Sequence, residues 1–125
     1  MLRKLEADPS GNIDVPVLTV HAVDDPIAFV ELESHFRDVM THAGRADRLV
    51  QVFTADREHS YLSSPAYATV MAVLVDWFER GVKPTPASIA ARCPSFEAEV
   101  GAGCRFLPDY QPAPLDSRVA TRKRQ

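Results

Sequence analysis

Val15-Pro16-Val17-Leu18-Thr19-Val20-His21-Ala22-Val23-Asp24-Asp25-Pro26 is the stretch that decides the fold. Residues 15–21 form a short, nearly continuous run of β-branched and apolar side chains. Such a run reads as a strand buried on both faces, which is the habit of parallel sheets whose crossover connections lay helices over each side. Pro16 has no N–H to give to a ladder, so it belongs at the very start of the strand. Asp24-Asp25-Pro26 then breaks the run, and the proline holds Asp25 out of the helical region.

Downstream, Phe29, Leu32, Phe36, Val39 and Ala43 recur at helical spacing, with Glu31, Glu33, Arg37 and Asp38 between them as a solvated face. Gly44 is placed to end that helix in a left-handed conformation. Leu49-Val50-Gln51-Val52-Phe53 reads as a second strand, and residues 55–63 as a polar loop. Ser64-Pro65 opens a second helix, with Ser64 as N-cap and Pro65 at the first helical position. Its expected buried stripe is Tyr67, Val70/Met71, Leu74 and Trp77/Phe78, and Gly81 closes it. The order strand, helix, strand, helix argues for parallel strands joined by a right-handed crossover. Upstream, Asp8-Pro9-Ser10-Gly11-Asn12 is a turn by composition.

After Gly81 the composition shifts. Pro84 and Pro86 precede a short helix over residues 87–92, and from Pro94 onward no periodicity is found. With Pro108, Pro112 and Pro114, the end of the chain reads as an irregular, proline-rich tail lying extended across a surface. The organisation is therefore an α/β unit over residues 1–84, followed by a short helix and tail over 85–125. There is no internal repeat.

Composition narrows the functional classes. The 125 residues carry a formal net charge of −3, so no global basic field attracts nucleic acid. Arg122-Lys123-Arg124 reads as a solvated tail. No segment approaches the ~18 apolar residues that span a membrane, and the N-terminus lacks the apolar core of a signal peptide. No cofactor is implied, since the Phe29, Leu32 and Phe36 stripe is core material. His21, Asp24, Asp25 and His59 are of types that bind zinc, but no compact pair such as His-x-x-x-His accompanies them, so no metal is expected. His35 and His42 share a charged helix face and read as surface residues. Cys93 and Cys104 suit a local disulfide around a glycine-containing loop, which favours a secreted or periplasmic setting. Two free thiols in a reducing compartment are the alternative.

The chemistry rests on Asp25 and His59. Each follows the C-terminal end of a strand, where the loops of an open parallel sheet converge over one crevice. Neighbouring strands lie ~4.8 Å apart, so such loops can bring side chains together. A carboxylate that accepts the imidazole N–H fixes its tautomer and stabilises the imidazolium formed in acyl transfer. The order of acid before histidine is the one that this chemistry uses on an α/β sheet. Asp24 is the second candidate for the acid.

These residues resemble a known family. The stretch from Val15 to Pro26 looks like the late strand and acid loop of α/β-hydrolases, where a proline-led strand ends in a His-Gly-x-x-Asp-Pro-like turn; Ala22 stands where glycine is common. Glu58-His59-Ser60, followed by a helix ending Trp77-Phe78-Glu79-Arg80-Gly81-Val82-Lys83-Pro84, looks like the histidine loop and terminal helix of the same fold. The resemblance covers residues 15–84. It implies the C-terminal β-α-β-α portion of a three-layer α/β-hydrolase sandwich, with Asp25 and His59 as two members of an esterase-like triad.

The third member is missing. The family's nucleophile sits on a Gly-x-Ser-x-Gly elbow earlier in the chain, and no such pattern occurs here. Ser10 lacks the strand before it and the helix after it, and Ser60, Ser63 and Ser64 follow the histidine as loop and cap residues. Two parallel strands also need sheet neighbours that these residues do not supply. Two readings follow. One is a segment of an ester-directed serine hydrolase, inactive without its nucleophile-bearing part, which would come from the remainder of the domain or another subunit and meet a small-molecule ester. The other is a noncatalytic small α/β domain that binds a protein partner through its sheet edge.

Overall fold

A computed structural model describes residues 9–120. Asp8 of the expected turn, the N-terminal residues read against a signal peptide, and Arg122-Lys123-Arg124 lie outside the described residues. The described chain is a small α/β fold. Strands β1 (Val17–Ala22) and β2 (Leu49–Thr54) pair in parallel, with Val17 opposite Leu49 and Ala22 opposite Thr54. Pro16 immediately precedes β1, where its missing N–H costs no ladder bond. Helix α1 (Glu31–His42) makes the crossover and is followed by Gly44 at φ 72°. Helix α2 (Ser64–Arg80) follows β2 and ends at the left-handed Gly81, whose N–H bonds the Trp77 carbonyl at 3.0 Å. Among the described residues, the second edge of β1 pairs with nothing.

The side-chain alternation of a strand sorts the two faces of this sheet. Val50 and Val52, with Leu18 and Val20, meet Val73, Leu74 and Trp77 of α2, Ile89 and the later Phe106. Thr19 and Gln51 face the other way, where both bond the Glu33 carboxylate of α1. Helices therefore cover both faces of the sheet.

The structure corrects the expectations for α1, for α2 and for the tail. Glu31 and Glu33 do not belong to a solvated face: Glu31 is buried and Glu33 is largely covered, while Phe29 and Leu32 stay exposed. The strand face beneath α1 presents Thr19, His21 and Gln51, so α1 turns a carboxylate rather than its apolar stripe toward it. In α2, Ser63 rather than Ser64 is the N-cap, with extended backbone and a side-chain oxygen accepting from the Ala66 N–H. Val70 and Trp77 are buried as expected, together with Thr69 and Val73, but Tyr67, Met71 and Phe78 are exposed, Phe78 by 73%. A two-stranded sheet is too narrow to cover all the apolar residues of a helix this long.

The third correction concerns the tail. Helix α3 (Pro86–Arg92) opens with a capping box in which Thr85 and Ser88 satisfy each other's backbone N–H. A further helix, α4 (Pro94–Val100), occupies a stretch expected to be irregular. Cys93 and Cys104 are joined in a disulfide with Cα atoms 5.9 Å apart, which returns the chain to the sheet. There the Arg105 carbonyl accepts from Ala55 N–H at 2.9 Å, Leu107 N–H donates to the Phe53 carbonyl at 2.8 Å, and Phe106 forms an antiparallel bridge with Thr54. The tail thus pairs with the end of β2 instead of merely crossing a surface. No helix among the described residues is long and apolar enough to cross a membrane.

Candidate acid–histidine site

Asp25 lies in the turn after β1, and His59 in the loop after β2. The parallel pairing continues beyond the strand ends: Val23 N–H donates to the Thr54 carbonyl at 3.0 Å and Asp24 N–H to that of Asp56 at 3.3 Å. These bonds hold the two loops side by side. His59 Nδ1 donates to Asp25 Oδ2 at 2.8 Å and lies 3.1 Å from Oδ1. Asp24 instead points outward, its carboxylate 3.9 Å from the Arg57 guanidinium. Of the two candidate acids, Asp25 is the one that meets the histidine.

The local sequence prepares this carboxylate. Asp25 Oδ1 also accepts from the Ile27 and Ala28 N–H groups at 2.8 and 2.9 Å, closing the turn with its own side chain. Its side chain is only 6% exposed. Burial pushes the Asp25 carboxyl up, but the Ala28 and Ile27 N–H groups and His59 outweigh it and hold the carboxyl at about 2. Asp25 is thus a fixed anion around neutrality. The His59 ring is 40% exposed, and with Nδ1 committed to Asp25 its Nε2 is left as the proton-accepting nitrogen.

Behind Asp25 lies a polar cluster. His21 Nε2 donates to the Ala28 carbonyl at 2.9 Å and Nδ1 to Glu33 Oε1 at 3.4 Å, while Nε2 stands 3.8 Å from Asp25 Oδ2. The Glu33 bond raises the His21 pKa above its ordinary value, against the opposing effect of burial. Burial pushes Glu33 up, but bonds from His21, Thr19 and Gln51 bring it below the usual carboxylate range. Both ring nitrogens of His21 face acceptors, which is the pattern of an imidazolium. Glu33 was not among the residues singled out as functional. The signal for it was present: Thr19 and His21 on one face of β1, beside Gln51 on β2, are polar groups that need a partner inside the fold.

Asp25, His21, His59, Ser60, Tyr61 and Tyr67 help to line a cleft of about 230 Å³. Ser60 is left-handed at φ 55°, the one non-glycine residue with positive φ among those described, so the backbone is strained directly after the histidine. No serine hydroxyl of the described residues bonds the His59 ring; Ser63 donates instead to the Gly103 carbonyl at 2.6 Å. Cys93 and Cys104 are both consumed by the disulfide. Among the described residues no three His, Cys, Asp or Glu side chains converge as a metal site would require. His35 and His42 are exposed on α1. What the arrangement can do is hold one imidazole in a single orientation, with a largely covered carboxylate behind Nδ1 and an open Nε2 in front. No protein-family model, no curated protein and no solved structure matches this chain.

Proposed function

We propose that this chain supplies the acid and the histidine of an ester-directed serine hydrolase of the α/β-hydrolase type, with the nucleophile and the oxyanion donors contributed from outside these residues. The observation that carries the reading is the 2.8 Å contact from His59 Nδ1 to Asp25 across two loops that follow neighbouring parallel strands. In this reading His59 Nε2 takes the proton of a serine hydroxyl as that oxygen attacks the ester carbonyl. Asp25 stabilises the imidazolium so formed, and Nε2 then returns the proton to the departing alkoxide. Water repeats the cycle on the acyl-enzyme. The remainder of the hydrolase domain, or another subunit, is the partner, and the edge of β1 left unpaired among the described residues offers it a place to add its strands.

That same edge favours the second reading, a noncatalytic domain that binds a partner by strand addition. The reading frame immediately upstream of Met1 separates the two. A Gly-x-Ser-x-Gly between a strand and a helix is expected there or in an adjacent frame. The complete product should label with a fluorophosphonate and turn over p-nitrophenyl esters, and Asp25→Asn should lower kcat by about 10⁴-fold. A complete protein without a nucleophile and without labelling would leave the edge-binding domain as the function.

A further inference from the structure

Residues 55–63, which carry His59, have no regular secondary structure between β2 and α2. The crest of this loop, from Arg57 to Tyr61, is exposed, and among the described residues the His59 ring bonds Asp25 alone. The crest has few ties of its own: the His59–Asp25 bond, the 3.9 Å Arg57–Asp24 pair and Tyr61 beside Arg105. The loop's buried points are its two ends, Asp56 and Ser63, and both are held by the same short piece of chain.

At the entry, Arg105 Nε and a terminal guanidinium nitrogen each lie 2.7 Å from Asp56 Oδ1, and the Arg105 carbonyl accepts from Ala55 N–H at 2.9 Å. The Asp56 carbonyl in turn accepts from Asp24 N–H, next to the acid itself. At the exit, Ser63 Oγ donates to the Gly103 carbonyl at 2.6 Å. The approach is so close that a Cβ on Gly103 would stand 2.6 Å from the Ser63 Cβ, and Gly103 has φ 145°, so glycine is required on both counts. Gly103 N–H is anchored to Glu97 of α4 at 3.0 Å. Cys104 lies between these two contacts and is bonded to Cys93, which is fully buried at the end of α3. Asp56 raises the Arg105 guanidinium above its ordinary pKa against the opposing effect of burial, with a smaller contribution from Tyr61 of the crest.

We propose that residues 103–107, fastened to the body by the Cys93–Cys104 disulfide, clamp both ends of the histidine loop, and that Arg105 is a positioning residue for His59. This deepens the acid–histidine reading and rests on it for its functional meaning. It also adds a dependence on thiol state. A dithiol that breaks the S–S bond delivers two electrons, leaves a thiol on Cys93 and another on Cys104, and departs as its own disulfide; the clamp then loses its anchor.

The test reads the tautomer of His59 in the 125-residue chain by long-range ¹H–¹⁵N correlation, at a pH where the imidazoles are neutral. Free imidazole favours the proton on Nε2, and the exposed His35 and His42 serve as internal references. In the unaltered, oxidised chain His59 should hold its proton on Nδ1. In Arg105→Met, in Asp56→Asn and in the chain reduced with dithiothreitol, it should move to the preference of His35 and His42, while the α1 signals stay in place. Arg105→Lys should recover most of the Nδ1–H form, because an ammonium can still reach Asp56. Retention of the Nδ1–H form in Arg105→Met and after reduction overturns the clamp and leaves the acid–histidine pair standing. Absence of that form in the unaltered chain overturns the pair, and the clamp with it. Global unfolding of every variant assigns these contacts to general stability and overturns the positioning role.

Discussion

Asp25 receives two backbone amides and one imidazole on a single carboxylate, and its neighbour His21 donates from both ring nitrogens, so the two groups respond to acid in opposite ways. The folded state holds Asp25 at about 2, below its ordinary 3.8, so the native chain binds fewer protons there than the unfolded chain does. The stability this contributes is complete above 3.8 and is lost as pH falls toward 2. Denaturant midpoints of the unaltered chain should therefore fall through that window, and Asp25→Asn should flatten the fall; parallel curves would refute the assignment. His21 runs the other way. Its folded pKa is raised above 6.5, so its contribution is complete below 6.5 and is lost as pH climbs through the raised value. Glu33→Gln removes the main cause of that shift. Urea midpoints taken on both sides of the window should drop with rising pH in the unaltered chain and stay level in Glu33→Gln.

Ile89 shows what an element owes to its packing. Helix α3 is short and spans only Pro86–Arg92, yet Ile89 is fully excluded from solvent against Val52, Val73 and Trp77. Helices this short are not stable by propensity, so α3 is held by the Thr85 cap, this anchor, the Arg92–Asp76 pair at 2.6 Å and the Cys93 disulfide. Ile89→Ala should cost about 2–5 kcal/mol in chemical denaturation, and a loss within the noise of a surface mutant would mean that α3 is held by its cap, the Arg92–Asp76 pair and the disulfide rather than by this packing. The contrast with α1 and α2 explains what the sequence made legible. β-Branched runs at Val17 and Val50, a helical apolar period after Phe29, and the stops at Gly44 and Gly81 are local signals, and they locate both strands and both long helices. Which face each helix buries is not local. It depends on the polar side chains of Thr19, His21 and Gln51 and on how narrow the sheet is, so Glu33 turned inward and Phe78 outward. Helix α4 escaped notice because seven residues after Pro94 hold too few turns to display a period. Asp25 and His59 were legible because topology alone brings the ends of neighbouring parallel strands together. Arg105 was not, since its contact with Asp56 exists only once the chain has doubled back through Cys104.

At the scale of the whole molecule, the site is, in the proposed reading, one part of a set of reactants, carried on a sheet of two strands among the described residues. Among the described residues β1 has a partner on one edge only, and Tyr67, Met71, Val75 and Phe78 leave much of α2 uncovered. Asp25 and His59 are in hydrogen-bonding register, but a general base accelerates acyl transfer only when a nucleophile lies within reach of its free nitrogen and donors await the oxyanion. The nearest hydroxyl in sequence, Ser60, sits on a strained backbone position of the same exposed loop, and Ser63 is spent on Gly103. Removing one triad member typically costs several powers of ten in kcat, and losing the oxyanion donors costs about 10²–10³ more. The 125-residue chain alone should therefore hydrolyse p-nitrophenyl acetate no faster than free imidazole at matched concentration, with the same rate in His59→Ala once its one imidazole fewer is allowed for. A burst of p-nitrophenol stoichiometric with protein, followed by turnover that His59→Ala abolishes, would identify a nucleophile within the chain. Ser60 would be the first residue to replace, because it directly follows His59 and lines the same cleft.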